Sequence, residues 1–172
     1  MSKVRNIAFI GLMTAIMCIL SPIVIPIGTG VGVTLGVLII ILMTYMLGIG
    51  KAFICYGIYL LIGIVGLPVF SGFQGGIGAF LGPSGGFIVG YAFIILSLGL
   101  LLRIKENRAF IIIGSIPGLL GCYLLGSLWY MYVADVTFWQ SVMICVVPFV
   151  AFDGLKIALV CMIGPSCKKR VK

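Results

Sequence analysis

The chain has 172 residues, of which 63% are hydrophobic and 8% are charged, whereas about 25% of the residues of a soluble domain are charged. This composition excludes a water-soluble protein, and the length allows one domain, residues 1–172, rather than two. The sequence contains no histidine, the commonest catalytic base and metal ligand. In lipid, the backbone N–H and C=O groups must hydrogen-bond to each other, within helices or within a closed barrel. The long apolar runs lack the alternation of barrel strands, so helices are predicted.

Six apolar segments are candidates for membrane spans, because a hydrocarbon core of roughly 30 Å needs about 20 apolar residues in a helix. In chain order they run over Val4–Leu20, Leu35–Gly50, Ala52–Gly66, Gly86–Leu102, Ala109–Tyr130 and Phe138–Gly164. The second and third are short. The sequence therefore predicts an all-α integral membrane bundle of six transmembrane helices.

The basic residues test this division of the chain, because Lys and Arg near span ends favour the cytoplasmic side. With six spans, ten of the eleven basic residues fall on one side, together with both termini. They are Lys3, Arg5, Lys51, Arg103, Lys105, Arg108, Lys168, Lys169, Arg170 and Lys172. We therefore expect a multi-pass protein of the cell membrane with both termini cytoplasmic. The net charge of +8 then reports orientation rather than binding to nucleic acid.

Two connections on the opposite, outer side are rich in Gly and Pro yet apolar. They run over Ser21–Thr34 and Leu67–Gly85. Irregular backbone at membrane depth is tolerated only where protein or a water-filled cavity covers it. We expect both outer loops to fold back over the bundle and to act as lids.

Two charged residues, Asp153 and Lys156, lie deep inside the sixth predicted span. Each costs about 2.5–3.5 kcal/mol to place in a membrane, and a spacing of three residues puts both on one helix face. They form either a private ion pair that relieves its own burial or, as the cost favours, the polar part of a ligand pocket. Pro148 lacks a backbone donor and is expected to kink the helix beside this site.

The second outer loop carries Gln74, whose amide has both donors and acceptors, within the run Gly72-Phe73-Gln74-Gly75-Gly76. The glycines allow the backbone to approach a ligand closely, although a solvated Gln in a flexible loop explains the pattern as well. The sequence has no phosphate loop, nucleophile elbow, paired carboxylates or zinc motif. We therefore expect neither an enzyme nor a metal site.

Small residues spaced four apart recur on three spans, and such spacing lets helices approach closely. Packing within the bundle is the expected role of most of these pairs, and the pair on the first span could meet a partner protein instead. The pairs are Gly11 and Ala15 on the first span, Gly86 and Gly90 on the fourth, and Gly114 and Gly118 on the fifth.

Two segments together resemble the BioY family, the biotin-specific S components of energy-coupling-factor (ECF) vitamin importers. The first is GLPVFSGFQGG, from Gly66 to Gly76, followed by LGPSGG, which ends at Gly86. The second is PFVAFDGLK, from Pro148 to Lys156. With six spans and a fitting length, the resemblance covers nearly the whole chain. The chain departs from the family pattern at several positions: Thr and Tyr are common where it has Ser84 and Phe87, a Pro is more common near the middle of residues 30–34, and a larger apolar residue is usual in place of Gly154.

The resemblance implies a bacterial subunit that captures biotin from outside the cell and has no motor of its own. The motor would be a separate transmembrane coupling subunit with two ATPase subunits. In this family the first helix meets the coupling subunit through small residues, which carries over to Ala8, Gly11 and Ala15. Biotin is then the transported ligand, and no cofactor is expected.

Biotin presents a ureido ring with two N–H groups and a carbonyl, an apolar thioether ring and a carboxylate tail. We expect Asp153 to accept from a ureido N–H, and Gln74 to bond with the carbonyl or an N–H. Lys156 is expected to donate to the ureido carbonyl or to neutralise the carboxylate, and the sequence leaves both open. The other expected binding residues are Phe70, Phe73, Gly75 and Tyr91.

Two other functions fit the composition. An S component for another vitamin would have the same apolar spans and the same distribution of charge, and only the two motif segments favour biotin. A small channel or a structural membrane subunit is the alternative from a different class. A channel predicts a continuous polar lining, whereas Asp153 and Lys156 are the only charged residues deep within a predicted span.

Overall fold

The computed structural model describes residues 3–25 and 32–171, with side chains to residue 168, as a bundle of helices with one short antiparallel strand pair. Among the described residues, four stretches are long and apolar enough to cross a membrane: α1, α5, α6, and α7 with α8. Two shorter apolar helices, α2 and α3, have 12 and 17 residues. The elements in chain order are α1 (Lys3–Leu20), β1 (Val24–Ile25), β2 (Val33–Thr34), α2 (Gly36–Leu47), α3 (Ile49–Val65), α4 (Ile77–Phe80), α5 (Gly85–Ile104), α6 (Arg108–Ala134), α7 (Phe138–Cys145) and α8 (Val147–Val171).

The two outer connections contain more regular structure than their Gly and Pro content indicated. In the first, β1 pairs antiparallel with β2, with Val24 opposite Thr34 and Ile25 opposite Val33. The middle of this loop, residues 26–31, lies outside the described residues. In the second, the single turn α4 precedes α5.

The helix α2 occupies the centre of the bundle, where it contacts α1, α3, α5 and α8. Eight of its 12 residues are buried. A helix that is hydrophobic on all sides is expected to be surrounded by protein, and α2 has that pattern. The first residues of α2, Gly36 and Val37, are therefore buried inside the bundle.

The predicted sixth span is divided into two helices at Val146, where α7 ends and α8 begins. Pro148 lies in the first turn of α8, where its missing N–H leaves no helical bond unmade. The same missing N–H cannot bond to the carbonyl of Ile144, which favours a break in the helix at this point. The kink expected at Pro148 thus corresponds to a break between α7 and α8 at Val146.

Glycines allow the long helices α5 and α6 to approach each other closely. A Cβ atom at Gly90 would lie 2.7 Å from Sγ of Cys122, and one at Gly118 would lie 2.6 Å from Cα of Ile94. Neither position tolerates a larger side chain without a shift of the facing helix. The predicted packing role of the small residues on these two spans is consistent with this arrangement.

Two of the basic residues, Lys51 and Lys168, make polar contacts at one end of the bundle. Lys51 donates to Oδ1 of Asn6 at 2.8 Å. Lys168 pairs with Glu106 at 2.8 Å and donates to the backbone carbonyl of Tyr45 at 2.8 Å. These contacts join the first turns of α1 and α3, the end of α2, the α5–α6 turn and the last turns of α8. Three other basic residues are predicted to lie on the same side. They are Lys169, Arg170 and Lys172, and they lie outside the residues whose side chains are described.

The opposite end of the bundle carries both Gly- and Pro-rich loops. The backbone N–H of Gly72 donates to the carbonyl of Pro22 at 3.0 Å, which joins the second loop to the first. The indole N–H of Trp129 donates to the carbonyl of Gly82 at 3.0 Å, which ties the second loop to the end of α6. The loops therefore cover the bundle at the end opposite to the basic residues.

Candidate substrate-binding site

A cavity of about 50 Å³ lies at the loop end of the bundle, between the central helix α2 and the first turns of α8. Its walls come from nearly every long helix and from both outer loops, so only the folded bundle forms it. The lining residues are Ser21, Gly32, Thr34, Val37, Tyr59, Ser71, Ser84, Phe87, Ile88, Tyr91, Cys122, Tyr123, Phe149, Asp153 and Lys156.

The charged part of this cavity is an ion pair within α8. Nζ of Lys156 lies 2.7 Å from Oδ1 of Asp153, and the two side chains are 6% and 2% exposed. The hydroxyl of Tyr123 donates to the second carboxylate oxygen, Oδ2, at 2.5 Å. The Asp153 carboxylate thus accepts one short bond on each oxygen, while the Lys156 ammonium uses one of its three donors. Both charged groups line the cavity and keep hydrogen-bonding capacity beyond these bonds.

Two pairs of hydroxyl groups line another part of the same cavity. Ser21 and Tyr59 are bonded at 3.0 Å, and Thr34 and Tyr91 lie 3.5 Å apart. Gly36, at the start of α2, makes room for them: a Cβ atom there would lie 2.5 Å from the hydroxyl of Tyr91. One hydroxyl of each pair donates to the other, so the second proton of each pair has no acceptor among the described residues and can donate to a ligand.

The rest of the cavity wall is apolar. It comes from Val37 on α2, Phe87 and Ile88 on α5, and Phe149 at the start of α8. A mostly apolar wall with a few convergent polar groups is the usual composition of a small-molecule site.

Three of the residues predicted from the sequence line the cavity: Asp153, Lys156 and Tyr91. A fourth, Phe70, is 1% exposed and lies behind the wall. Its ring packs edge-on against Tyr59, with ring centroids 5.7 Å apart, so it supports a lining residue rather than lining the cavity itself. The expectation that Phe70 contacts the ligand stays a prediction.

The other predicted loop residues lie outside the cavity. The backbone N–H of Phe70 bonds to the carbonyl of Gln74 at 2.9 Å and closes a tight turn. This turn leaves Gln74 exposed and leaves Phe73 64% exposed. Phe73 has a φ of 58°, a left-handed conformation that costs a non-glycine residue energy. Gly75 packs against the backbone of Leu67. Binding roles for Phe73, Gln74 and Gly75 remain predictions.

The sequence reasoning missed the hydroxyl groups of the site. Tyr123 is 30 positions from Asp153, and Ser21 is 38 positions from Tyr59. The available signal was a tyrosine or serine inside or beside an apolar span, where a hydroxyl needs a partner. That signal marks many residues of this chain, and only the packing of the helices selects Ser21, Tyr59 and Tyr123. Tyr91 is among the binding residues expected from the sequence, and the structure adds its hydroxyl to the polar lining.

A second feature is an open apolar groove beside α1. Gly11 and Ala15 line it, together with α3 and the loop segment 67–69. Ala8 is exposed one turn earlier on the same helix. A Cβ atom at Gly11 would meet no atom within 4 Å, in contrast to the tightly packed glycines of α5 and α6. Among the described residues, the helix surface at Gly11 thus has space for another chain, and the predicted partner face of α1 stays a prediction.

Comparisons with known proteins match nearly the full length of this chain and agree with one another. The profile described as the BioY family matches residues 1–172. The chain is 34% identical to "Biotin transporter BioY" of Thermotoga maritima, covering 96% of both chains. It is 35% identical to "Biotin transporter BioY2" of Lactococcus lactis, covering 95% of this chain and 90% of that protein.

A solved structure agrees with the fold. It is the crystal structure of the S-component for biotin from an ECF-type ABC transporter, with a TM-score of 0.88 and 28% sequence identity. The match covers 98% of this chain and 95% of the other. These relatives are transporters and not enzymes, in agreement with the expectation from the sequence.

Proposed function

Because this chain belongs to the BioY family, we propose that it is the substrate-capture subunit for uptake of biotin across the cell membrane. The observation that carries the proposal is the buried pair of Asp153 and Lys156 facing a cavity at the loop end of the bundle. Two apolar residues would pack at these positions at lower cost. Their burial is understandable if both groups bind a ligand.

The ureido ring of biotin matches the ion pair. Asp153 accepts from a ureido N–H through a lone pair left over from its bonds to Lys156 and Tyr123. Lys156 donates to the ureido carbonyl through one of its two remaining protons. The alternative, in which Lys156 neutralises the carboxylate tail, is less favourable because its charge is already offset by Asp153 at 2.7 Å. The tail then faces the hydroxyl pairs of Ser21 with Tyr59 and Thr34 with Tyr91.

The outer loops act as lids in this proposal. The cavity of about 50 Å³ is smaller than the roughly 300–1,000 Å³ typical of small-molecule sites, so its walls must move to admit biotin. The turn that holds Phe73 and Gln74 is exposed and contains a strained residue, Phe73. Its movement towards the ligand would bring Gln74, Gly75 and Phe70 into the roles expected of them. Closure excludes water and strengthens each polar contact in the site.

In this proposal the chain crosses the membrane six times with both termini in the cytoplasm. This topology determines which side of the membrane the cavity faces. The four long apolar stretches and the two shorter apolar helices α2 and α3 supply six segments. The basic end of the bundle then faces the cytoplasm, as Lys and Arg favour, and the cavity opens to the outside. Exposed aromatic residues near the outer end of α6 and in α7, such as Tyr132 and Trp139, suit the lipid headgroup region. We propose the bacterial plasma membrane as the location.

Energy for transport comes from other subunits in this proposal. A transmembrane coupling subunit with two ATPases would dock through the open groove of α1, at Ala8, Gly11 and Ala15. The absence of contacts within 4 Å of a Cβ at Gly11 supports close approach of a partner helix there.

Calorimetric titration of the purified full chain in detergent with biotin tests the proposal, with thiamine and riboflavin as controls. We expect tight binding of biotin alone. Binding of a control vitamin instead of biotin would assign the chain to another substrate. A folded sample that binds none of the three would remove the basis for a vitamin-capture function.

A further inference from the structure

Tyr123 connects the ion pair to the rest of the cavity. Asp153 and Lys156 both lie on α8, whereas Tyr123 lies on α6 and donates to Oδ2 of Asp153 at 2.5 Å. Among the described residues, it is the only side chain from another helix with a hydrogen bond to either member of the pair. Tyr123 also lines the cavity itself. It is therefore in place to influence both the carboxylate and the ligand.

The bond from Tyr123 fixes the carboxylate relative to the opposite walls. Lys156 is three residues from Asp153 on the same helix, so their bond moves with α8 and sets no relation to other helices. In contrast, α6 is held firmly on α5 by close contacts such as that between Gly90 and Cys122. The walls at Phe87, Ile88 and Tyr91 belong to α5. A group anchored on α6 thus orients Asp153 with respect to these walls.

The same bond determines which hydrogen-bonding groups the cavity offers. The single hydroxyl proton of Tyr123 is used on Asp153, so its oxygen presents only lone pairs to a ligand. The carboxylate likewise presents only lone pairs. The surface formed by Asp153 and Tyr123 therefore accepts N–H groups and repels oxygen acceptors.

We propose that Tyr123 is a positioning and specificity-determining residue. It orients the Asp153 carboxylate so that the site selects a ligand with N–H donors on a flat ring, such as a cyclic urea. This inference rests on the proposed function, because biotin supplies the cyclic urea. It adds a residue from α6 to a site whose charged groups both lie on α8.

The test compares biotin with biotin methylated on one ureido nitrogen, in the wild-type chain and in Tyr123→Phe. Affinities are measured for the full chain in detergent by competition against labelled biotin. Tyr132→Phe is the matched control, because Tyr132 lies on the same helix and is 88% exposed. Thermal unfolding of each sample verifies that it is folded.

We expect Tyr123→Phe to weaken biotin binding by about 10- to 100-fold, the usual range for a hydrogen bond to a charged group. The methylated analogue lacks the N–H that the oriented carboxylate selects, so its affinity should change much less. The preference for biotin over the analogue should therefore shrink by about tenfold. Tyr132→Phe should keep the wild-type preference.

Three results would overturn the proposal: wild-type affinity in Tyr123→Phe, an equal loss for both ligands, or a variant that does not fold while Tyr132→Phe does. An equal loss or a failure to fold would assign Tyr123 to stability alone. These outcomes differ from failure of the proposed function, in which the wild-type chain itself does not bind biotin.

Discussion

Replacing Asp153 by Asn removes the negative charge of the buried pair. The side chains of Asp153 and Lys156 are 2% and 6% exposed, so the variant leaves the Lys156 ammonium buried without a counter-ion. Losing one member of a buried pair costs about 3–5 kcal/mol. Since about 1 kcal/mol shifts the midpoint of a chain of this size by 2–4 °C, the unfolding temperature should fall by roughly 6–20 °C.

The chain supplies its own reporter for this measurement. Cys55, Cys122 and Cys145 are buried free thiols, and they become reactive towards a thiol-sensitive dye as the bundle unfolds. The double variant Asp153→Asn with Lys156→Met removes the unpaired charge and should recover most of the lost unfolding temperature. It should not recover biotin binding, because both charged groups that we propose to meet the ureido ring are gone.

This pair of variants separates stability from binding. The reasoning is refuted if Asp153→Asn unfolds at the wild-type temperature, since Lys156 would then not depend on Asp153. It is also refuted if the double variant binds biotin as tightly as the wild-type chain, since the ion pair would then serve the fold alone.

Three further predictions concern other parts of the chain. Gly90→Ala should lower the free energy of unfolding by about 1–3 kcal/mol in the thermal unfolding assay, because its Cβ would lie 2.7 Å from Sγ of Cys122. Gly57→Ala is the control: a Cβ there has no atom within 4 Å, so this variant should be neutral or stabilising in the same assay. Gly11→Leu should leave the unfolding temperature and biotin affinity unchanged but reduce biotin uptake by cells that carry the coupling subunits at least tenfold, and normal uptake would contradict the docking groove. Gln74→Ala should weaken biotin binding about 3- to 10-fold in calorimetry, as expected for one neutral hydrogen bond, and an unchanged affinity would remove Gln74 from the site.

The helices were predictable from the sequence because lipid imposes strong constraints. A backbone in hydrocarbon has to bond to itself, so apolar segments such as Gly86–Leu102 and Ala109–Tyr130 correspond closely to α5 and α6. Asp153 and Lys156 were recognisable for the same reason, since their burial in a span demands an explanation. Pro148 indicated where the last span is interrupted.

The contacts between distant segments were not predictable in this way. The bond between Tyr123 and Asp153 depends on how α6 packs against α8, and no local pattern encodes it. The sequence predicts that Phe73 and Gln74 contact the ligand, whereas the turn closed by the backbone bond from Phe70 to Gln74 leaves both side chains exposed. Gly and Pro content predicts that a turn exists and leaves the direction of its side chains open.

The most direct test of the central claim is a structure of the full chain with biotin bound. The account predicts the ureido ring in the cavity, with an N–H within hydrogen-bond distance of Asp153 and the carbonyl within hydrogen-bond distance of Lys156. Biotin bound at another place in the bundle, or in this cavity without contact to Asp153 or Lys156, would contradict it.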